Sequence, residues 1–385
     1  MTSKQRLTTA LDGGTPDRLP VTTHHVMPYF TERYLDGCST DEFFDRFGLD
    51  AICWTVPTIG DESRGEYRDP TQKSVGFLQT NRIVSGSWRR SSESLSGFEV
   101  PTRRERIETP AGTLTAVLRA NEYTEWVTEH LIKEKRDIEL LASYQTHPLC
   151  DVRSVREASE SFGERGIVRG FVIPSDIYGQ PGCWQDFCCL RGTEQAIMDT
   201  FDDPEWVHEA LAVLLERKLD YVRSLAGAGY DLVELGGGDG STTVISPDIF
   251  ESFVAPYDAK LIEAARDTDV RIAYHICGGI MPILEQIADM RPHAIETFTP
   301  PEMGADTRLA EAKKRIGNRV CMIGGFNQSH FFTTATSEET RAEVRRCFAE
   351  AGPGGGYILS PSDHFFDAKL ELLEAFADEA KRCTY

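Results

Sequence analysis

The chain has 385 residues, with 41 Lys and Arg against 61 Asp and Glu, a formal net charge of −20. Apolar residues make up 40% and charged residues 26%, ordinary globular usage that excludes gross disorder. The negative excess argues against a phosphate-backbone binder, which needs clustered Lys and Arg. No run approaches the length of a membrane span, and no basic-then-apolar leader opens the chain. The expectation is a cytoplasmic protein without nucleic-acid or membrane partners. Its ten cysteines form no CxxC pair, which removes zinc-ribbon and thioredoxin-like readings.

Taken in chain order, residues 18–22 and 51–56 are the first short apolar runs and read as strands one and two. The next strand is far away, and the intervening stretch alternates at 109–118 and 125–130 between Gly and Pro. That pattern predicts an antiparallel β-ribbon inserted between strands two and three, with residues 57–130 lying over one mouth of the fold. Strand three is expected at 167–173, followed by a long loop at 174–190 that carries Trp184 and three cysteines, Cys183, Cys188 and Cys189. A helix is expected over 204–226, with Trp206, Ala210, Leu214 and Leu225 on one face and Asp202-Asp203 before Pro204 as its start.

From there strands and helices alternate. Apolar runs fall at 232–235, 270–275, 294–298, 320–324 and 357–359; helical spacing falls at 249–266, 282–290, 308–316, 337–351 and 368–382. Eight strands alternating with helices imply a (β/α)8 TIM barrel, a single unit over 1–385. No G-x-G-x-x-G turn follows the first strand, which counts against a dinucleotide fold. The Gly-rich run 236–240 lacks the Lys-Ser/Thr of a phosphate loop and reads as a tight turn with close backbone approach.

In parallel barrels the reactive groups come from the C-terminal ends of the strands. Strand five ends in His275 and Cys277, strand six in Glu296, strand seven in Asn327 and strand eight in Asp363 and His364. His275 and Cys277 are two apart, so extended backbone aims both side chains the same way. One imidazole and one thiolate suit Zn²⁺, with Glu296 and His364 or Asp363 to complete the ligands. Alone, the pair fits a core histidine beside a buried thiol better than a metal site; its neighbours Glu296 and His364 tip it toward metal. His24, His25 and Tyr178 are candidate substrate-lining residues, and Glu296, Asp363 and Asn327 candidate catalytic ones.

The run His275-Ile276-Cys277-Gly278, with Glu296, Gly324-Gly325-Phe326-Asn327 and Ser362-Asp363-His364, resembles the uroporphyrinogen decarboxylase superfamily. The opening Arg6, Ala10-Leu11, Gly14, Pro16-Asp17-Arg18 and Pro20-Val21 is similar to the start of many members, and Ser246-Pro247-Asp248, Phe253 and Pro256-Tyr257 to the segment before their fifth strand. The resemblance spans nearly the whole chain, less clearly over 57–130. It implies a TIM barrel, and an activity from one of two branches. One comprises metal-free decarboxylases; the other comprises zinc methyltransferases that exchange methyl groups with corrinoid proteins or thiols.

His-x-Cys after strand five and Glu296 after strand six match the methyltransferase branch. Their further sulfur ligand follows strand eight, where this chain has Ser362-Asp363-His364 and no Cys. Either His364 or Asp363 replaces it, or the site lacks a ligand. The decarboxylases' Arg-rich motif after strand one has no counterpart before Arg33. The leading expectation is a zinc-dependent methyltransferase that demethylates a small O-, N- or S-methylated compound, with the cobalamin-type corrinoid on a partner protein. The alternatives are methyl transfer to a thiol, a metal-free carboxy-lyase, and a non-catalytic barrel that binds a corrinoid or tetrapyrrole. Loops around 57–130 are candidates for a homodimer contact.

Overall fold

The computed structural model describes residues 1–72, 78 and 80–385. The part of the expected insertion at 73–77 and 79 lies outside the described residues. At its centre is a seven-stranded parallel sheet. Its strands are Ala51–Trp54, Gly166–Phe171, Leu232–Gly236, Ile272–His275, Ala294–Thr297, Cys321–Gly324 and Tyr357–Ile358, each paired with the next. Amphipathic helices follow the later strands, among them Pro204–Ser224, Ala255–Arg266, Leu309–Ile316, Ser337–Ala351 and Leu370–Arg382. This is a TIM-like α/β architecture.

The first expected strand shrinks to one residue. Val21 makes a single parallel bridge to Leu359, and its carbonyl accepts from Asp50 N, so it touches both edges of the curled sheet. The reason is local. Pro20 has no N–H to give, and the Val21 N–H is taken by the Asp50 carboxylate at 3.0 Å. Little backbone is left for a ladder.

Residues expected as a loop at 174–190 instead include a helix, Cys183–Arg191, on which all three cysteines ride. Cys183, Trp184, Phe187, Cys188 and Leu190 are buried at helical spacing, so apolar cysteines complete a face that their residue type conceals. The expected helix over 249–266 is interrupted by a π turn, Phe250–Val254, just before Pro256, whose missing N–H breaks the regular ladder.

Between the first two strands of the parallel sheet, a four-stranded antiparallel sheet runs Arg89–Leu95, Thr102–Thr109, Gly112–Ala120 and Glu125–Glu129. Thr109 pairs with Gly112 across a two-residue turn. Among the described residues no helix is long and apolar enough to cross a membrane.

Candidate active site

The strand Ile272–His275 shows how alternation builds the site. Tyr274 turns outward and gives its hydroxyl hydrogen to Asp258 Oδ2 at 2.9 Å, under the helix Ala255–Arg266. His275 therefore turns the other way. Register pairs His275 with Gly236 on one side and Glu296 on the other. Gly236 has φ +104°, and a Cβ there would stand 2.5 Å from the His275 carbonyl oxygen, so the strand end admits only glycine.

His275 Nδ1 lies 3.1 Å from Glu296 Oε1, and His275 Nε2 lies 3.0 Å from Cys277 Sγ. Cys277 Sγ is in turn 3.3 Å from Asp363 Oδ2. His364 stands behind, its Nδ1 2.9 Å from Asp363 Oδ1. His24 Nε2 lies 2.8 Å from Glu234 Oε2 and 3.6 Å from Glu296 Oε1, with its ring 4.8 Å from that of His275. His25 stacks on His24 at 4.1 Å. These groups open into a cavity of about 490 Å³ that Tyr178, Thr124, Glu125, Gln185 and Asp239 also line. Among the described residues, no Lys or Arg lines it.

Of the residues singled out in the sequence, His24, His25, Tyr178, His275, Asp363 and His364 line this cavity. Cys277 and Glu296 join through the contacts above. Asn327 does not: its Oδ1 accepts from His330 N at the start of the short helix Gln328–Phe331, and it borders a different cavity.

Sequence reasoning missed Arg169 and Glu234. Arg169, on the strand Gly166–Phe171, is 1% exposed. Its Nη2 donates to Glu234 Oε2 at 2.8 Å and also to Glu296 Oε1, and its guanidinium lies 4.4 Å from the Trp54 ring centroid. A signal for both was present. Each is a charged residue inside an apolar run of a parallel sheet, where both faces are buried and a charge needs a partner.

Electrostatics set the resting protonation. Burial acts to raise the Glu296 carboxyl, but the Arg169 charge and the His275 hydrogen bond outweigh it and hold Glu296 well below the carboxylate range. Burial acts to lower His275, but Cys277, Glu234 and Glu296 outweigh it and raise it well above 6.5. The Cys277 thiol is raised, first by burial and then by Asp363. His25 falls well below 6.5 through burial and the charges of His24 and Arg169. Burial raises Asp239.

The donor set fits a zinc ion in type; in spacing, two groups of imidazoles and carboxylates converge, and Cys277 stands beside them on the Nε2 side of His275, opposite Glu296 on the Nδ1 side. Tetrahedral ligands at zinc bond lengths of about 2.0–2.3 Å stand roughly 3.6 Å apart. Cys277 Sγ is 3.0 Å from one candidate donor and 3.3 Å from another. His24, Glu234, His275 and Glu296 each offer an atom within 4.8 Å of the others, as do His24, Asp363 and His364. His24 Nδ1 is buried without a hydrogen-bond partner among the described residues. A ligating Cys277 would first have to lose its proton.

A TIM-like sheet whose strand ends gather imidazoles, a thiol and carboxylates defines an enzyme-type site. The family model "Uroporphyrinogen decarboxylase (URO-D)" matches residues 180–383, more than half of the chain, and the chain belongs to that family. It is similar to the methylcobamide:CoM methyltransferase MtaA of Methanosarcina barkeri, 26% identical over 153 residues, which cover 40% of this chain and 42% of that protein. It is also similar to the uroporphyrinogen decarboxylase of Chromohalobacter salexigens, 29% identical over 167 residues, 42% of this chain and 43% of that one. The chain thus spans about two fifths of the length of the curated relatives it matches. In fold it resembles a methyltransferase from Methanosarcina mazei, with a TM-score of 0.61 at 16% identity over 99% of both chains.

Proposed function

We propose that the protein is a zinc-dependent methyltransferase that takes a methyl group from a small methylated compound and passes it to the corrinoid of a partner protein. The observation that carries this reading is the Cys277 thiol between His275 Nε2 and Asp363 Oδ2, beside a cavity without a described Lys or Arg. A polycarboxylate such as a porphyrinogen needs cationic partners, and the described lining sets the carboxylates Glu125, Glu234, Asp239 and Asp363 against its imidazoles, with no Lys or Arg. The relatedness to MtaA supports a corrinoid-linked methyl transfer.

In this reading His275, Cys277 and Glu296 would hold the metal, with His364 or Asp363 as a further group. Asp363 is the nearer to the thiol, and His364 then orients it through their 2.9 Å contact. Bound zinc supplies Lewis acidity to the heteroatom that leaves with the demethylated product. His275 and Asp363 flank the Cys277 sulfur and fix its direction. His24, His25 and Tyr178 line the space that a methyl donor would occupy, with Glu296 at its floor. The chain acts as a single unit over 1–385, and the four-stranded insertion lies over the mouth of the curled parallel sheet, an arrangement supported by Thr124 and Glu125 in the cavity wall.

Metal analysis of protein purified without chelator or His tag tests this: one zinc per chain is expected. Cys277→Ala should abolish stoichiometric zinc and lower methyl transfer by at least about 100-fold, the upper range lost even when an outer partner of a metal site is removed. Unchanged metal content and activity in that variant would sink the reading. A second reading, a metal-free carboxy-lyase, is favoured by the decarboxylase relatives; it requires CO₂ release from a porphyrinogen, insensitive to chelators.

A further inference from the structure

We propose that Arg169 is a positioning residue that competes with the metal for Glu296 and Glu234, and thereby sets how tightly the site holds a divalent cation. The inference rests on the zinc reading above.

The geometry is that of a built-in cation. Arg169 comes from a strand otherwise made of Gly, Ile, Val and Phe, and one nitrogen, Nη2, serves both Glu234 Oε2 and Glu296 Oε1. Its position is held from the other side by the Trp54 ring, 4.4 Å away. Trp54 is itself anchored, giving its indole N–H to the His24 carbonyl oxygen at 2.8 Å. The guanidinium, the aromatic plate and the first loop are therefore tied to one another.

Crowding on a single oxygen makes the competition direct. Glu296 Oε1 already meets Arg169 Nη2, stands 3.1 Å from His275 Nδ1 and lies 3.6 Å from His24 Nε2. A cation can bind that oxygen only by displacing one of these donors. A fixed positive charge in a buried site also repels a dication more strongly than it would in water. Arg169 thus weakens Glu296 as a ligand and leaves His275 and Cys277 as the firm ones. A carboxylate with a waiting cation can leave the metal without being stranded as an unpaired buried charge.

Zinc affinity, measured on metal-free protein by competition with a chromophoric chelator, separates this from a structural role. Arg169→Gln should bind zinc at least tenfold more tightly, with one more nitrogen or oxygen ligand in the zinc-edge X-ray absorption spectrum. Arg169→Lys, which keeps the charge, should stay within about threefold of wild type. Because the Gln variant can fail to fold, the wild type carries a second measurement. Its Arg169 side-chain ¹⁵N resonances, assigned with the Lys variant, should shift when zinc is added. A folded Gln variant with wild-type or weaker affinity, or unmoved Arg169 resonances in zinc-loaded wild type, overturns the proposal. If the wild type binds no zinc, the zinc reading itself fails and this inference falls with it; zinc binding lost in Cys277→Ala but unaffected by Arg169 refutes this inference alone.

Discussion

At the C-terminal end of the parallel strands, a cavity of about 490 Å³ is lined by Glu125, Glu234, Asp239 and Asp363. At the opposite end a larger one, about 1440 Å³, is lined by Arg266, Arg271, Arg291, Lys313 and Arg319. Size would point to the second, yet the chemistry of the two ends differs in kind. The N-terminal cations lie near the surface and find partners close by: Arg271 on Asp12 at 2.7 Å, Arg319 on Asp289 at 2.5 Å. Such exposed pairs contribute little. At the other end Arg169, Glu234 and Glu296 are buried and share their hydrogen bonds with two imidazoles. Burying charge is costly unless each group is matched, so that arrangement marks the candidate site more surely than volume does.

The contrast can be broken most forcefully at Arg169. Removing one partner of a buried pair strands the others, so Arg169→Gln should lower the unfolding free energy by about 3–5 kcal/mol in urea titrations. A loss below about 1 kcal/mol would place the guanidinium outside the interlocked set.

Histidine titration sharpens the comparison further, because His293 at one end and His275 at the other shift in opposite directions. His293, beside the basic cavity, is lowered below 6.5 by burial, aided by Arg271 and Arg266. The unfolded chain then takes the proton first, so the His293 contribution to stability is full above pH 6.5 and is lost as pH falls through its folded value. His275 is raised despite burial, by Cys277, Glu234 and Glu296. Its contribution is full below pH 6.5 and is lost as pH rises through its folded value. NMR of the ring protons in zinc-free protein should give a midpoint below 6.5 for His293 and above it for His275; equal midpoints would erase the contrast.

The smallest effect is expected at the surface. Arg319→Ala removes an exposed pair and should change stability by no more than about 1 kcal/mol, with zinc content unaltered. A larger loss would mean that the N-terminal end carries more structural load than its exposure suggests.

Much of the site was legible because strand ends are legible. His275, Cys277, Glu296 and Asp363 each follow an apolar run, and the parallel alternation of strand and helix places such residues at one end. Asn327 obeyed the same rule and is nonetheless a helix cap, since its side chain meets the nearer His330 N–H first. The cysteine helix Cys183–Arg191 escaped notice because Cys reads as neutral in a periodic pattern. Residue 21 kept its place but not its strand, for want of free backbone groups beside Pro20 and Asp50.

The sequence by itself determined the α/β alternation, the sheet end at which the candidate site gathers and the His275–Cys277 pair, because periodicity and spacing are local properties of the chain. Only the tertiary structure decided that Arg169 and Glu234 belong to the same cluster, that His24 lies at its centre, and that Asp363 stands closer to the thiol than His364 does. Those contacts join residues 65 to 210 positions apart. They depend on sheet register and curvature, which fix which inward side chains meet, and no local pattern encodes that.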